Sequence, residues 1–158
     1  MFRPMRRFRQ EISREECEKI LLEAPRGVLA VLGDEGYPYA LPIDFLYVPE
    51  QARIYFHGAK EGHKLDAIRR VDKCSFCVMD EGFRREGEWA LNIKSVIVFG
   101  RVRPIAEEQN NLEIARRIGL KYYPDAESVE EEMRKAASRV LCLEMQIEHM
   151  TGKLVNES

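Results

Sequence analysis

The stretch that most restricts the fold is Arg53 to Arg70, RIYFHGAKEGHKLDAIRR. Arg53-Ile54-Tyr55-Phe56 is aromatic and β-branched, the composition of a short strand. From about Gly62 the pattern changes: Leu65 and Ile68 lie three apart with Arg69 and Arg70 behind them, a helix with cations in its last turn. Between the two lie His57-Gly58-Ala59-Lys60-Glu61-Gly62-His63-Lys64. A strand that passes through a glycine-bearing loop into a helix start can hold an anion. The first-turn amides have no internal partner, and the helix dipole adds partial positive charge. Lys64, and His63 when protonated, add charge-assisted hydrogen bonds to a phosphate. The spacing is not the GxxxxGK[ST] of nucleoside-triphosphate hydrolases, because a histidine stands between Gly62 and Lys64.

The flanking sequence reads as mixed helix and strand. Ser13-Arg14-Glu15-Glu16 is a capping-box pattern, and Cys17, Ile20, Leu21 and Ala24 share the face of a helix that Pro25 stops. Val28–Leu32 is a strand and Gly33–Gly36 a turn. Tyr37–Val48 returns as one long strand whose Pro38 and Pro42 require an edge or a bulge. After the helix at 62–70, Lys73–Met79 and Trp89–Val102 read as strands around a polar loop, Asp80–Gly87. Leu112, Ala115 and Ile118 mark a helix from Glu107, closed by Gly119, with Lys121–Asp125 a connector. Ser128–Ala137 is a second helix, Arg139–Met150 a closing strand and Thr151-Gly152-Lys153 a turn. No repeat or linker interrupts 158 residues, so one domain over 1–158 is expected. The order, with six mostly antiparallel strands and helices in the connections, is that of an α+β barrel.

Composition bounds the function. A net charge of −2 gives no electrostatic drive toward nucleic acid, and no apolar run reaches the ~20 residues of a membrane span. The basic start, Met1 to Arg9, leads into Gln10-Glu11 and not into an apolar core, so it does not read as a secretory signal. A cytoplasmic protein with reduced Cys17, Cys74, Cys77 and Cys142 is expected. Cys74-Ser75-Phe76-Cys77 has the C-x-x-C spacing, but on a strand the two thiols face opposite ways. Small core residues are the better reading than a redox or zinc pair. The three histidines have no metal-ligand spacing, and no serine–histidine–acid set or paired carboxylates emerges, so no catalytic side chain and no metal ligand are assigned.

Three blocks carry a family resemblance: Ala40-Leu41-Pro42-Ile43-Asp44-Phe45, the Tyr55–Leu65 block, and Lys94-Ser95-Val96-Ile97-Val98-Phe99-Gly100. Together they resemble the flavin-binding split barrels related to pyridoxamine 5′-phosphate oxidase. The subgroup most similar is that of nitroimidazole resistance, with its basic start at Arg6-Arg7 near Glu11. The likeness runs from about Arg6 to Lys153. It implies a six-stranded antiparallel split barrel that forms a homodimer with FMN in two clefts between subunits. It places Leu41, Pro42, Ile43, Asp44 and Phe45 beside the isoalloxazine ring, offering backbone groups to its polar edge. It places His57, Gly58 and Ala59 near the ring and ribityl chain, and Gly62, His63 and Lys64 at the phosphate. Ser95 and Val96 would approach from the other subunit.

Two departures count against vitamin B6 oxidation: His63 replaces the arginine of those oxidases, and the tail Glu148–Lys153 lacks their tryptophan and arginine. Trp89 reads as core before flavin stacking, and His149 as a surface residue before a cleft residue. The resemblance implies an FMN-dependent oxidoreductase, an NAD(P)H-linked reductase of small electron-poor or nitroaromatic compounds. The rival it leaves is a non-catalytic sensor or store of flavin, deazaflavin or haem, with His57, His63 and His149 available to iron. A structural dimer module with no ligand is a third reading.

Overall fold

A computed structural model describes residues 1–156. Its strands are β1 (Gly27–Leu32), β2 (Pro38–Ile43), β3 (Leu46–Val48), β4 (Arg53–Ala59), β5 (Lys73–Met79), β6 (Asn92–Pro104) and β7 (Val140–Asn156). Its helices are α1 (Arg14–Glu23), α2 (His63–Arg70), α3 (Glu108–Tyr122) and α4 (Ala126–Ala136). All seven strands form one antiparallel sheet in the order β2-β1-β5-β6-β7-β4-β3.

Seven strands, not six, result because the stretch expected as one strand, Tyr37–Val48, breaks at Asp44-Phe45. Its first half pairs with β1 and its second with β4, so one length of chain supplies both edges of the sheet. The sheet therefore curls shut through that bend and not through a ladder. Phe76 of β5 meets Phe45 of the bend at 4.9 Å and Phe56 of β4 at 5.1 Å, both edge to face, across the interior. All three rings are fully buried, each worth about 1.5–3 kcal/mol of transfer free energy. Pro38 and Pro42 lie on β2, an edge strand, where a missing N–H costs no central ladder.

The interior is filled by alternate residues, such as Leu29 and Val31 of β1 and Val96, Val98 and Val102 of β6. One helix face each of α1 (Cys17, Ile20, Leu21) and α2 (Leu65, Ala67, Ile68) joins the same core. Ser13 caps α1 with the expected capping box. A second cluster lies outside the barrel, where Ile114, Ala115 and Ile118 of α3 cover Tyr55, Cys142 and Val48.

Other expectations are corrected by packing. The helix does not close at Gly119 but runs on to Tyr122, because α4 crosses there: a Cβ on Gly119 would lie 3.0 Å from Val129 Cγ1. Thr151-Gly152-Lys153 is not a turn but part of β7. Gly152 marks where Ile12 and Cys17 press on the strand, with Cys17 Sγ 2.5 Å from a notional Cβ. The strand expected from Trp89 starts at Asn92, and Trp89 is 81% exposed, so it is not core. The helix expected from Ser128 starts at Ala126, with Asp125 as its cap. Cys74 points inward, but Cys77 lies on the outer face and is not core. All four cysteines are free thiols.

Candidate functional site

The loop from β4 into α2 is built by two glycines. Gly62 caps α2 at φ 131°, a conformation side chains rarely adopt, and no side chain covers the helix start. The first bond within the helix is Asp66 N–H to Gly62 C=O at 3.1 Å, which leaves the amides just before it without a helical acceptor. Lys64 folds back over Gly58, and a Cβ there would sit 2.7 Å from Nζ. Burial pushes the Lys64 ammonium below its ordinary value. Among the described residues Lys64 has no ion-pair partner and no hydrogen bond. A half-buried ammonium with nothing opposite it is unfavourable unless an anion supplies the missing partner.

The His63 side chain goes elsewhere. Its ring stacks on Tyr39 at 4.2 Å, and Nε2 accepts the Asp34 N–H at 3.4 Å. Arg70 holds the Asp34 carboxylate at 2.7 Å. His63 thus ties α2 to the turn between β1 and β2. That geometry corrects the expectation that its imidazole grips a phosphate.

His57 points outward from β4 into a cavity of about 320 Å³ between the sheet and the α3–α4 hairpin. Its imidazole is held below its usual value, first by enclosure in that cleft. Asp44 opposes the shift and Lys64 adds to it. Asp44 pairs with Arg26 at 3.0 Å.

The end of α3 contributes a clamp that the sequence reading left as a connector. Lys121 Nζ donates to Phe45 C=O at 2.8 Å and Ala24 C=O at 3.0 Å, and lies 3.7 Å over the Phe45 ring. The Tyr122 hydroxyl accepts the Phe45 N–H at 2.9 Å and donates to Pro25 C=O at 2.6 Å. Burial, against the attraction of Asp44, pushes the Lys121 pKa down to about 8. Both backbone groups of Phe45 are therefore spent inside the chain and its ring is fully buried. The expectation that Phe45 offers backbone to a ligand is not met; Leu41, Pro42 and Asp44 keep surface, and Ile43 is buried. The signal for this extension was present: Ile114, Ile118 and Tyr122 recur every fourth residue.

Ser95 and Val96 lie far away in the same chain. β7 pairs Cys142 with His57 but Lys153 with Ser95, about 11 residues further on, roughly 35 Å of extended strand. Val96 is buried in the barrel, which leaves Ser95 at the surface. Near it the outer face of the sheet carries two uncharged rows, Val28-Cys77-Ile97-Thr151 and Ala30-Ser75-Phe99-His149. Val28 is 39% exposed, Ile97 40% and Phe99 40%. His149 stacks under Phe2 at 4.6 Å on this face, not in the cleft with His57. Among the described residues no three His, Cys, Asp or Glu side chains gather as metal ligands, and no helix is long and apolar enough to cross a membrane.

A sheet closed through a bend, with an uncapped helix start and Lys64 just beyond its fourth strand, defines a split barrel. The chain belongs to the pyridoxamine 5′-phosphate oxidase family, whose sequence profile matches residues 13–154. Solved structures share the fold. One is a candidate 5-nitroimidazole antibiotic resistance protein of Bacteroides thetaiotaomicron (20% identity, 92% of this chain and 87% of that one, TM-score 0.77). Another is a FAD-binding protein of Mesorhizobium loti (22%, 92% and 97%, TM-score 0.66). A third is a FAD and haem binding protein of Mycobacterium smegmatis (23%, 92% and 72%, TM-score 0.72). No curated protein sequence matches the chain.

Proposed function

We propose that the chain is an FMN-dependent oxidoreductase that works as a cytoplasmic homodimer, reducing small electron-poor or nitroaromatic compounds with electrons from NAD(P)H. The observation that carries this reading is Lys64, a half-buried cation without a partner among the described residues, beside a helix start that no side chain caps. Those donors fit a terminal phosphate. A bound flavin would supply hydride and electron transfer. The chain's own part is to anchor the phosphate with Lys64 and the amides at Gly62 and His63. Gly58 leaves room for that approach. His57 and Asp44 present an imidazole and a carboxylate beside the cleft, and the Leu41–Asp44 edge would border the ring. The likeness to flavin-binding proteins and to a nitroimidazole resistance protein supports the same reading.

A homodimer is favoured by geometry. Ser95 reaches a cleft at His57–Lys64 only if a second copy provides it, and the uncharged outer rows beside Ser95 offer a face for that copy. The haem carrier has less support, because His63 is held by Tyr39, His149 lies under Phe2, and His57 stands alone.

The test is titration of the purified protein with FMN and with riboflavin, which lacks the phosphate. Saturable FMN binding, bleaching by NADH or NADPH, and recovery of colour on adding a nitro compound are expected. Indifference to FMN overturns the reading; stable colour with no bleaching reduces the protein to a flavin carrier, and a Soret band transfers it to haem.

A further inference from the structure

The cavity under the α3–α4 hairpin differs from the cradle in the sign of its charge. Lys64 and the free amides make the cradle cationic, whereas the cavity's charged lining residues are both carboxylates, Asp44 and Glu132. No lysine or arginine lines it, and Lys121 spends its ammonium on Ala24 C=O and Phe45 C=O. Glu132 is half-buried on α4 and, among the described residues, has no ion pair and no hydrogen bond. Asp44 gives Oδ1 to Arg26. The walls are otherwise apolar, with Ile118 and Tyr122 on one helix and Val129 and Met133 on the other. About 320 Å³ is within the range of small-molecule sites and holds a body of one or two rings.

We propose that this cavity binds a small organic cation, a flat apolar ring system carrying a protonated amine. The rings contact the helices, where Tyr122 adds a π-face, and the ammonium gives Glu132 the counter-charge it lacks among the described residues, with Asp44, already paired to Arg26, adding a second carboxylate. A phosphorylated or carboxylated ligand would meet two carboxylates and is selected against. His57, whose imidazole pKa desolvation pushes below its usual value, offers a ring nitrogen for a hydrogen bond. Any role for this ligand beside a bound flavin rests on the flavin reading, because His57, which lines the cavity, also opens the loop that ends at Lys64. Its binding does not rest on that reading.

Calorimetric titration at neutral pH with 2-(aminomethyl)naphthalene, 2-naphthalenemethanol and 2-naphthoate, on FMN-free and FMN-saturated protein, tests the proposal. The amine is expected to bind about 10-fold more tightly than the alcohol, with the carboxylate weakest. Glu132→Gln should remove most of the amine's advantage and leave the alcohol's affinity unchanged. Ala136→Phe should block all three, and Glu132→Gln, on an exposed helix, remains decisive if that variant misfolds. Equal affinities, preference for the carboxylate, an unaffected Glu132→Gln, absence of binding at millimolar ligand, or competition between amine and FMN would each overturn it. FMN uptake is read separately from flavin absorbance, so a protein that takes FMN but no amine loses this inference alone. One that takes the amine but no FMN loses only the flavin reading.

Discussion

At the end of β4, Gly58 and Lys64 share one space: the glycine has no side chain there, and the lysine's ammonium fills the gap. Folding gains little from the charge, since burial lowers the lysine's pKa and no carboxylate answers it. Lys64→Ala is therefore expected to leave thermal stability unchanged or slightly raised. FMN binding should weaken by about 10- to 100-fold, the worth of one hydrogen bond to a charged group, ~1.5–3 kcal/mol. Riboflavin affinity should stay the same, and parallel titrations separate the two effects. Lys121 is the opposite case, a half-buried cation with acceptors. Its pKa falls from 10.5 to about 8. Between those values the unfolded chain holds a proton that the folded chain has released. Its contribution to stability therefore rises with pH across that window and is lowest below about pH 8. Urea midpoints of the wild type and Lys121→Met should differ by an amount that changes between pH 7 and pH 10; a constant difference would show that Lys121 keeps its ordinary pKa.

Among elements, the contacts of α1 with β7 and of α3 with α4 each depend on a missing side chain. Gly152 admits Ile12 and Cys17, and Gly119 admits Val129. Gly152→Ala should cost about 1–3 kcal/mol through overpacking, measured as a drop in urea midpoint with the slope unchanged. These same glycines misled the sequence reading, which took one as a helix stop and the other as a turn. A glycine that signals an end and a glycine that signals a close neighbour look alike until the neighbour is known. Where the signal was local, the reading agreed with the structure: the Ser13 capping box, the edge placement of Pro38 and Pro42, and the opposed thiols of Cys74 and Cys77.

For the molecule as a whole, the outer face around Ile97 and Phe99 is left partly exposed, and among the described residues Phe2 stacks on Phe99 there. If this face forms the proposed dimer interface, a charge placed in its uncharged rows separates the two copies. Ile97→Glu is expected to elute as a folded monomer in size-exclusion chromatography with light scattering and to lose FMN affinity although Lys64 is intact. An unchanged dimer would show that this face is not the interface, and a monomer that still binds FMN as tightly would show that Ser95 takes no part in the site.

Spacing and residue type along the chain were enough to determine which stretches are extended and which helical, and that Gly58-to-Lys64 forms a loop into a helix start. Those properties depend on neighbours within a few residues. Only the tertiary structure decided that Tyr37–Val48 is divided between two sheet edges, that His63 turns to Tyr39 while Lys64 turns to Gly58, and that Lys121 and Tyr122 clamp Phe45. Each of these depends on which distant group offers the better packing or hydrogen-bond partner, and such pairings between remote segments exist only once the barrel has closed.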